Sequence, residues 1–154
     1  MNVTCSNRCL TKALLYWDFG INIMLPEDHL CPPVCNGIAL LNYVLWIQNI
    51  MWEHLSSSVC GIDIGTGASE TYPLIICKLK LDWSFVATEL NDMSSQLAES
   101  NISRNHHGNW IHILQAHPSQ FILFPLNIFS FTMCNPLYYT SLDKVTLSAE
   151  RLWT

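Results

Sequence analysis

Basic residues are scarce. Seven Lys and Arg stand against twelve Asp and Glu in 154 residues, a formal net charge of −5. No cluster of Lys or Arg occurs anywhere in the chain. Phosphate contacts supply most of the affinity of nucleic-acid binders, so charge alone argues against independent nucleic-acid binding. Charge of either sign is thin, at 12% of residues, where an average domain has about 25%. Half of the residues are hydrophobic, which excludes a solvated, disordered chain.

Long apolar runs are missing too. None reaches the roughly 18 residues of a membrane span, so no membrane association is expected. The nearest, Phe121 to Cys134, contains Pro125 and Asn127 and reads as a buried strand or two. The N-terminus lacks a charged region followed by an apolar run, so no secretory leader is expected. Seven cysteines are an odd number, which fits free thiols inside the cell, in nucleus or cytoplasm. The glycosylation patterns Asn2-Val3-Thr4 and Asn101-Ile102-Ser103 are then chance matches. Cys5-x3-Cys9 and Cys31-x3-Cys35 have zinc-like local spacing. Cys5 and Cys9 fall on or beside a helix, and neither pair has the usual glycine and polar knuckle, so no metal is expected. His106-His107 reads as part of a solvated loop. Met24, Met51, Met93 and Met133 read as packing residues.

What is present is an alternation of helices and strands. Ser6 to Phe19 reads as a helix, with Leu10, Ala13, Leu14 and Trp17 at helical spacing and Gly20 as a stop. Ile21 to Leu25 is a strand candidate, and Pro26 to Gly37 a loop broken by Pro32 and Pro33. Ile38 to Leu55 is helical again, with Leu41, Val44, Leu45, Gln48 and Trp52 on one stripe. Strands follow at Val59 to Ile64, Ser84 to Thr88, Trp110 to Leu114 and Ile128 to Cys134. Helices fall between them, one through about Leu79 and one from Asn91 to Ile102. Strands alternating with helices imply an α/β fold with a parallel sheet and right-handed crossovers.

The segment GIDIGTGAS lies between a strand and a helix, the context that gives a glycine motif meaning. Gly65 and Gly67 permit a tight turn and close approach of a ligand to the backbone. The following helix N-terminus suits a carboxylate or phosphate. Asp63, at the strand end, is placed to accept from a ligand's ammonium group or to order the loop. Glu89 ends the next strand, 22 residues after Gly67, near the offset of about 20 for a ribose-binding acid in a doubly wound sheet. No Gly-Lys-Ser/Thr follows, so the loop is not a P-loop, and the third glycine of the dinucleotide fingerprint is absent. An adenosyl cofactor with an amino-acid tail fits better than ATP or NAD.

These residues carry a resemblance. GIDIGTGASETYPL, FVATELND and MCNPLYY, with LTKALLYWDFGINIMLPEDHLCP and LLNYVLWIQNI upstream, resemble the methyltransferase-like protein 16 family and its bacterial relative, the ribosomal RNA adenine methyltransferase RlmF. The likeness runs from about Cys9 to Tyr139. It implies a Rossmann-like class I methyltransferase domain that binds S-adenosyl-L-methionine and methylates the exocyclic amine of an adenine in structured RNA, without a metal. By motif, Gly61, Asp63, Gly65, Thr66, Gly67 and Ser69 would lie on the methionine and loop side, and Glu89 would hold the ribose. Asn135 and Pro136 would accept the N–H hydrogens of the target amine. Tyr138 would stack on a base taken out of its helix.

The chain departs from the family pattern at Leu137, where the motif has a second proline, and at Leu40, where the family has an arginine facing the cofactor's carboxylate. The family's basic N-terminal arm and the strands after the Asn-Pro loop have no counterpart in these 154 residues. The expectation is therefore a C-terminally truncated parallel sheet. Residues 1–58 would form an N-terminal helical segment of the methyltransferase domain, and 59–154 an incomplete S-adenosylmethionine-binding core. The fourth strand would be an exposed apolar edge open to self-association or a protein partner. A catalytically inactive fragment or isoform acting through protein contacts is the alternative reading. A small-molecule or protein methyltransferase is a further one.

Overall fold

The structure, a computed structural model, describes residues 3–26, 37–51, 58–80, 82–117 and 129–135. Two helices come first, α1 (Val3–Phe19) and α2 (Gly37–Met51). Then β1 (Val59–Ile64), α3 (Thr71–Leu79), β2 (Trp83–Glu89), α4 (Asp92–Arg104), β3 (Ile111–Gln115) and β4 (Phe131–Cys134) follow. The strands form one sheet in the order β3-β2-β1-β4, and each pairing is parallel. The chain steps outward from β1 through β2 to β3, then returns to the other side of β1. That reversal is a topological switch point, where open α/β sheets bind ligands beyond their strand ends.

One lateral row shows why β1 carries a glycine. Gly61 pairs with Phe85 on one side and Phe131 on the other. A Cβ on Gly61 would stand 2.6 Å from Phe85 Cε1 and 2.7 Å from Phe131 Cζ. The rings of Phe85 and Phe131 meet edge-on with centroids 5.6 Å apart, and Trp83 joins them at 5.4 Å from Phe131. The missing side chain is thus the space that the aromatic row fills.

The N-terminal segment shares this core. Leu15, Ile21, Ile23, Val44 and Ile47 are buried in one cluster with Leu74, Ile75, Ile76, Trp83, Phe85, Ile111 and Met133. Ile21, Ile23 and Leu25 alternate inward as a strand would, but 21–25 joins no sheet. Besides Ile21 N–H to Leu15 O and Lys12 to Leu25 O, its backbone is bonded by two side-chain amides, Asn101 of α4 and Asn105 at the C-cap. Asn105 Oδ1 accepts from Asn22 N–H at 2.8 Å, and its amide donates to Asn22 O at 2.9 Å. Asn101 Oδ1 accepts from Met24 N–H at 2.7 Å, and its amide donates to Met24 O at 3.0 Å and to Ala68 O at 2.9 Å. Side chains four apart on a helix are spaced about as far apart as alternate residues of an extended chain, so two asparagines replace a strand ladder. Asn101 is fully buried by this, which removes it from reach of any glycosylation.

Other expectations need correction. α1 begins at Val3, earlier than Ser6. Leu10 and Trp17 are exposed, and among the described side chains of α1 Thr11 and Leu15 are buried. Among the described side chains of α2, Val44 and Ile47 are buried, while Leu45 is exposed. The side chain of Leu41 and all of Trp52 lie outside the described residues, as does most of the proline loop. Met24 and Met93 are exposed, and Met133 alone of the described methionine side chains is core. His107 is buried and edge-on to Trp110, at 6.1 Å between ring centroids, so it packs and is not solvated. Its burial, with Lys78 and His106 nearby, lowers its pKa. Among the described residues, no helix is long and apolar enough to cross a membrane.

Gly61→Ala is expected to destabilise the chain by about 1–3 kcal/mol, the usual cost of overpacking a filled core. Urea unfolding of the variant measures this, and Phe131→Leu in the same background should recover part of the loss. An unchanged midpoint for Gly61→Ala would contradict the aromatic row.

Candidate functional site

The site is built where β1 and β2 end. Gly65 and Gly67 adopt φ of +73° and +68°, a region that favours glycine. The loop they form folds back over β2. Gly65 and Thr66 both donate their N–H groups to Thr88 O, at 3.0 and 2.9 Å. Gly67 N–H donates to Glu89 Oε2 at 2.8 Å. Glu89 Oε1 accepts from the N–H groups of Leu90 and Asn91, at 2.8 and 2.9 Å. Glu89 thereby joins the glycine loop to the turn that enters α4. Asn91 caps that helix, its Oδ1 accepting from Ser94 N–H at 2.9 Å.

Three carboxyl groups bond to this loop. Asp63 is 1% exposed and Glu70 fully buried, and Glu89 is half-buried. Thr66 Oγ1 contacts both buried acids, at 2.8 Å from Asp63 Oδ2 and 2.6 Å from Glu70 Oε2. Burial pushes Asp63 up to about 6; the Thr66 hydroxyl opposes that rise, and the Glu89 charge adds to it. Burial raises Glu70 well above the ordinary glutamate range, again against the Thr66 contact and with Asp63 and Glu89 adding to it. The Cys134 thiol is raised by burial and by the Asp63 charge, which puts the end of β4 in the field of the same carboxylate.

No described cation answers these acids. Arg8 donates to Pro26 O, Lys12 to Leu25 O and Lys80 to Gln48 Oε1. Arg104 donates to the Met24 sulfur, and Lys78 is exposed. A buried carboxylate is costly unless paired, which is why both acids hold their protons more tightly than usual. Among the described residues, no cluster of His, Cys, Asp and Glu is arranged to hold a metal ion. Cys31 and Cys35 lie outside the described residues, and Cys9 is exposed.

The sequence-derived candidates separate into groups. Asp63, Gly65, Thr66, Gly67 and Glu89 come together in the hydrogen-bond network of the loop. Ser69 is buried at the entry to α3. Gly61, assigned by resemblance to the cofactor side, faces the Phe85 and Phe131 rings, so packing accounts for that glycine. Asn135 is exposed directly after β4. Ile64 pairs with Cys134, so Asn135 stands at the same end of the sheet as the glycine loop. Pro136, Leu137 and Tyr138 lie outside the described residues. Sequence reading passed over Glu70. Its signal was an acid opening the apolar run TYPLIIC, with no Lys or Arg four residues away on either side.

The chain matches a family model described as RNA methyltransferase over residues 3–154. It is 40% identical over 145 residues to the U6 small nuclear RNA (adenine-(43)-N(6))-methyltransferase of Caenorhabditis briggsae, covering 89% of this chain and 29% of that protein. The chain thus spans less than a third of that relative's length. The solved hMettl16 catalytic domain in complex with the MAT2A 3′UTR hairpin 1 superposes with a TM-score of 0.75 and 34% identity, covering 93% of this chain and 48% of that one. The N-terminal domain of human METTL16 in complex with SAH superposes with a TM-score of 0.73 and 30% identity, covering 97% and 63%.

The raised Asp63 carboxyl makes a prediction about stability. A group raised on folding contributes stability that is complete below its unfolded pKa and is lost as pH rises through its folded pKa. For Asp63 that window runs from 3.8 to about 6, a difference of about 3 kcal/mol between protonation states. Asp63→Asn, which mimics the neutral form, should unfold at higher urea than wild type near neutral pH and converge with it toward about pH 4. Parallel pH profiles for the two proteins would refute this.

Proposed function

The chain belongs to an RNA methyltransferase family, and we propose that it holds S-adenosylmethionine for methyl transfer to the exocyclic amine of an adenine in structured RNA. The observation that carries this reading is the buried Asp63 carboxylate on the glycine loop, with no cation beside it among the described residues. S-adenosylmethionine brings an ammonium and a sulfonium, and an ammonium is the partner that Asp63 lacks. When bound, it supplies an electrophilic methyl group. The relatives solved with SAH and with an RNA hairpin support the same classes of cofactor and substrate.

The residues divide the work. Asp63 accepts from the ammonium. The turn into α3 meets the ligand's carboxylate, since a helix N-terminus favours negative charge. Glu89 Oε1 already accepts two N–H groups and Oε2 one. A position on Oε2 therefore remains for a ribose hydroxyl. Asn135, at the sheet end beside the loop, accepts an N–H of the target amine through its side-chain carbonyl. The family resemblance adds Pro136 O as the second acceptor and Tyr138 as the stacking ring. Two acceptors on one aromatic amine turn its lone pair out of the ring plane and toward the methyl group. Positioning and electrostatics lower the barrier, with no covalent intermediate on the protein.

With seven basic residues, the chain offers few phosphate contacts, so its own charge contributes little RNA affinity. Specificity in this reading comes from the amine acceptors and from stacking. The substrate and cofactor classes imply an intracellular protein, in nucleus or cytoplasm.

Calorimetric titration of S-adenosylmethionine into the purified chain tests the reading. Saturable binding is expected, weakened at least about tenfold by Asp63→Asn, which removes a charge-assisted hydrogen bond, and also weakened by Glu89→Ala. Asp63 must be ionised to pair with the ammonium, and it titrates at about 6. Affinity should therefore fall as pH drops through about 6, approaching tenfold per pH unit. Absence of binding at millimolar ligand, or an affinity indifferent to pH across this range, would reject the proposed pocket.

A further inference from the structure

Thr66 touches two acids with one proton to give. Its hydroxyl carries a single hydrogen and has two acceptor positions. It can donate to Asp63 Oδ2 at 2.8 Å or to Glu70 Oε2 at 2.6 Å, but not to both. The other contact requires a proton on the carboxyl itself. Glu70 is the better holder of that proton. It is fully buried, its Oε1 has no partner, and the neighbouring Thr71 Oγ1 has none either. An ionised Glu70 would carry charge on an oxygen without a donor, whereas the carbonyl oxygen of a neutral acid tolerates that far better. Among the described residues, the titratable groups that face it are Asp63 of β1, Glu89 of β2 and Cys77 of its own helix. All are acids, so none stabilises a second negative charge there.

The backbone at Glu70 is also unusual. The residue sits at the N-cap of α3 with φ 50° and ψ 31°, left-handed for a non-glycine residue, and its side chain caps nothing. A glutamate in that conformation carries strain that the surrounding contacts must hold. Its carboxyl points back four residues to Thr66 instead of capping its own helix. The direction of the chain then follows. Glu70 Oε2–H donates to Thr66 Oγ1, and the Thr66 hydroxyl donates to Asp63 Oδ2. Among the described residues nothing donates to Asp63 Oδ1.

We propose that Glu70 is a positioning residue for the ammonium end of the ligand: its carboxyl proton binds Thr66, commits the Thr66 hydroxyl to Asp63 Oδ2, and leaves Asp63 Oδ1 as the acceptor for the cation. This rests on the cofactor reading above and adds to it a residue that never touches the ligand. Without the donor at Glu70, the Thr66 hydroxyl loses the bond that orients and polarises it, and the hydrogen bond that favours ionised Asp63 weakens.

Two near-isosteric substitutions isolate the donor. Glu70→Gln keeps an N–H to donate to Thr66; Glu70→Met keeps the length and has none. Both are neutral, like the protonated acid they replace, so charge is constant across the set. The primary readout is the Asp63 titration in the ligand-free chain, followed by carbon-13 NMR of its carboxyl. The midpoint is expected to stay at the wild-type value in Glu70→Gln and to rise in Glu70→Met. S-adenosylmethionine affinity should follow, falling about tenfold in Glu70→Met with its acid limb moved to higher pH, and largely retained in Glu70→Gln. Thr66→Val interrupts the same chain at its middle and should raise the Asp63 midpoint too, which keeps the test decisive if Glu70→Met does not fold. An Asp63 midpoint that none of these variants moves overturns the proposal. So does equal loss of affinity in Gln and Met variants with the acid limb in place, the pattern of a merely structural residue. The NMR arm uses no ligand. A wild-type chain that fails to bind S-adenosylmethionine therefore sinks the cofactor reading, while the relay is judged on the titration alone.

Discussion

A carboxylate buried at a strand end, without a protein cation among the described residues, is the constraint around which this site is organised. Asp63 is held at the end of the strand central to the switch point, in register with Ala87 and Met133. Burial alone disfavours its charge. The fold answers with a hydroxyl, a neutral neighbouring acid and a loop whose N–H groups are spent on Thr88 and Glu89. None of these neutralises Asp63. Each one fixes its surroundings so that a cation entering the loop meets an aligned acceptor.

Folding and binding therefore make opposite demands on one group. Folding raises the cost of ionising Asp63, and a cationic ligand requires it ionised. Conflict of this kind is expected where a fold sacrifices stability for a site. The same is true of Glu70, a glutamate in a left-handed conformation with an unpartnered oxygen. Two adjacent violations of ordinary protein chemistry fall in one loop, while the sheet around them follows the rules closely. The aromatic row across Gly61 is an example of that regularity: a glycine central in the sheet is covered by rings from both neighbouring strands.

The N-terminal segment is bound into this arrangement by polar contacts as well as by burial. Asn101 bonds both backbone groups of Met24 and also Ala68 O in the glycine loop. A single buried amide thus links residues 21–25, α4 and the loop. Burying such a group is tolerated because its oxygen and both amide hydrogens are bonded at good distance. The loop is consequently supported from three directions, by β2 through Thr88, by the β2–α4 turn through Glu89, and by the N-terminal segment through Asn101.

Much of this was legible in the residues. Val59–Ile64 was read at its observed bounds, and the other strands and the helices between them lie within a few residues of expectation, because hydrophobic periodicity and turn residues act locally. GIDIGTGAS in its strand–helix context announced the glycine turn, and Glu89, read from its spacing, is the acid that bonds to that turn. The extended character of 21–25 was also visible in its alternation. Its partner was not, because the two asparagines lie some 80 residues away (the bonds span 77 and 83 positions) and look like ordinary surface residues of a polar helix. The exposed face of α1 was misjudged for the same reason: periodicity shows that a helix has a stripe, while the neighbours decide which stripe is covered. The packing reason for Gly61 needed the register of three strands. The sequence determined that a glycine loop with two acids would close over the end of a parallel sheet. Only the tertiary structure decided that Asp63 would be buried with Glu70 and share one hydroxyl with it, since burial and proton sharing depend on distances between atoms, and distances are properties of the folded chain.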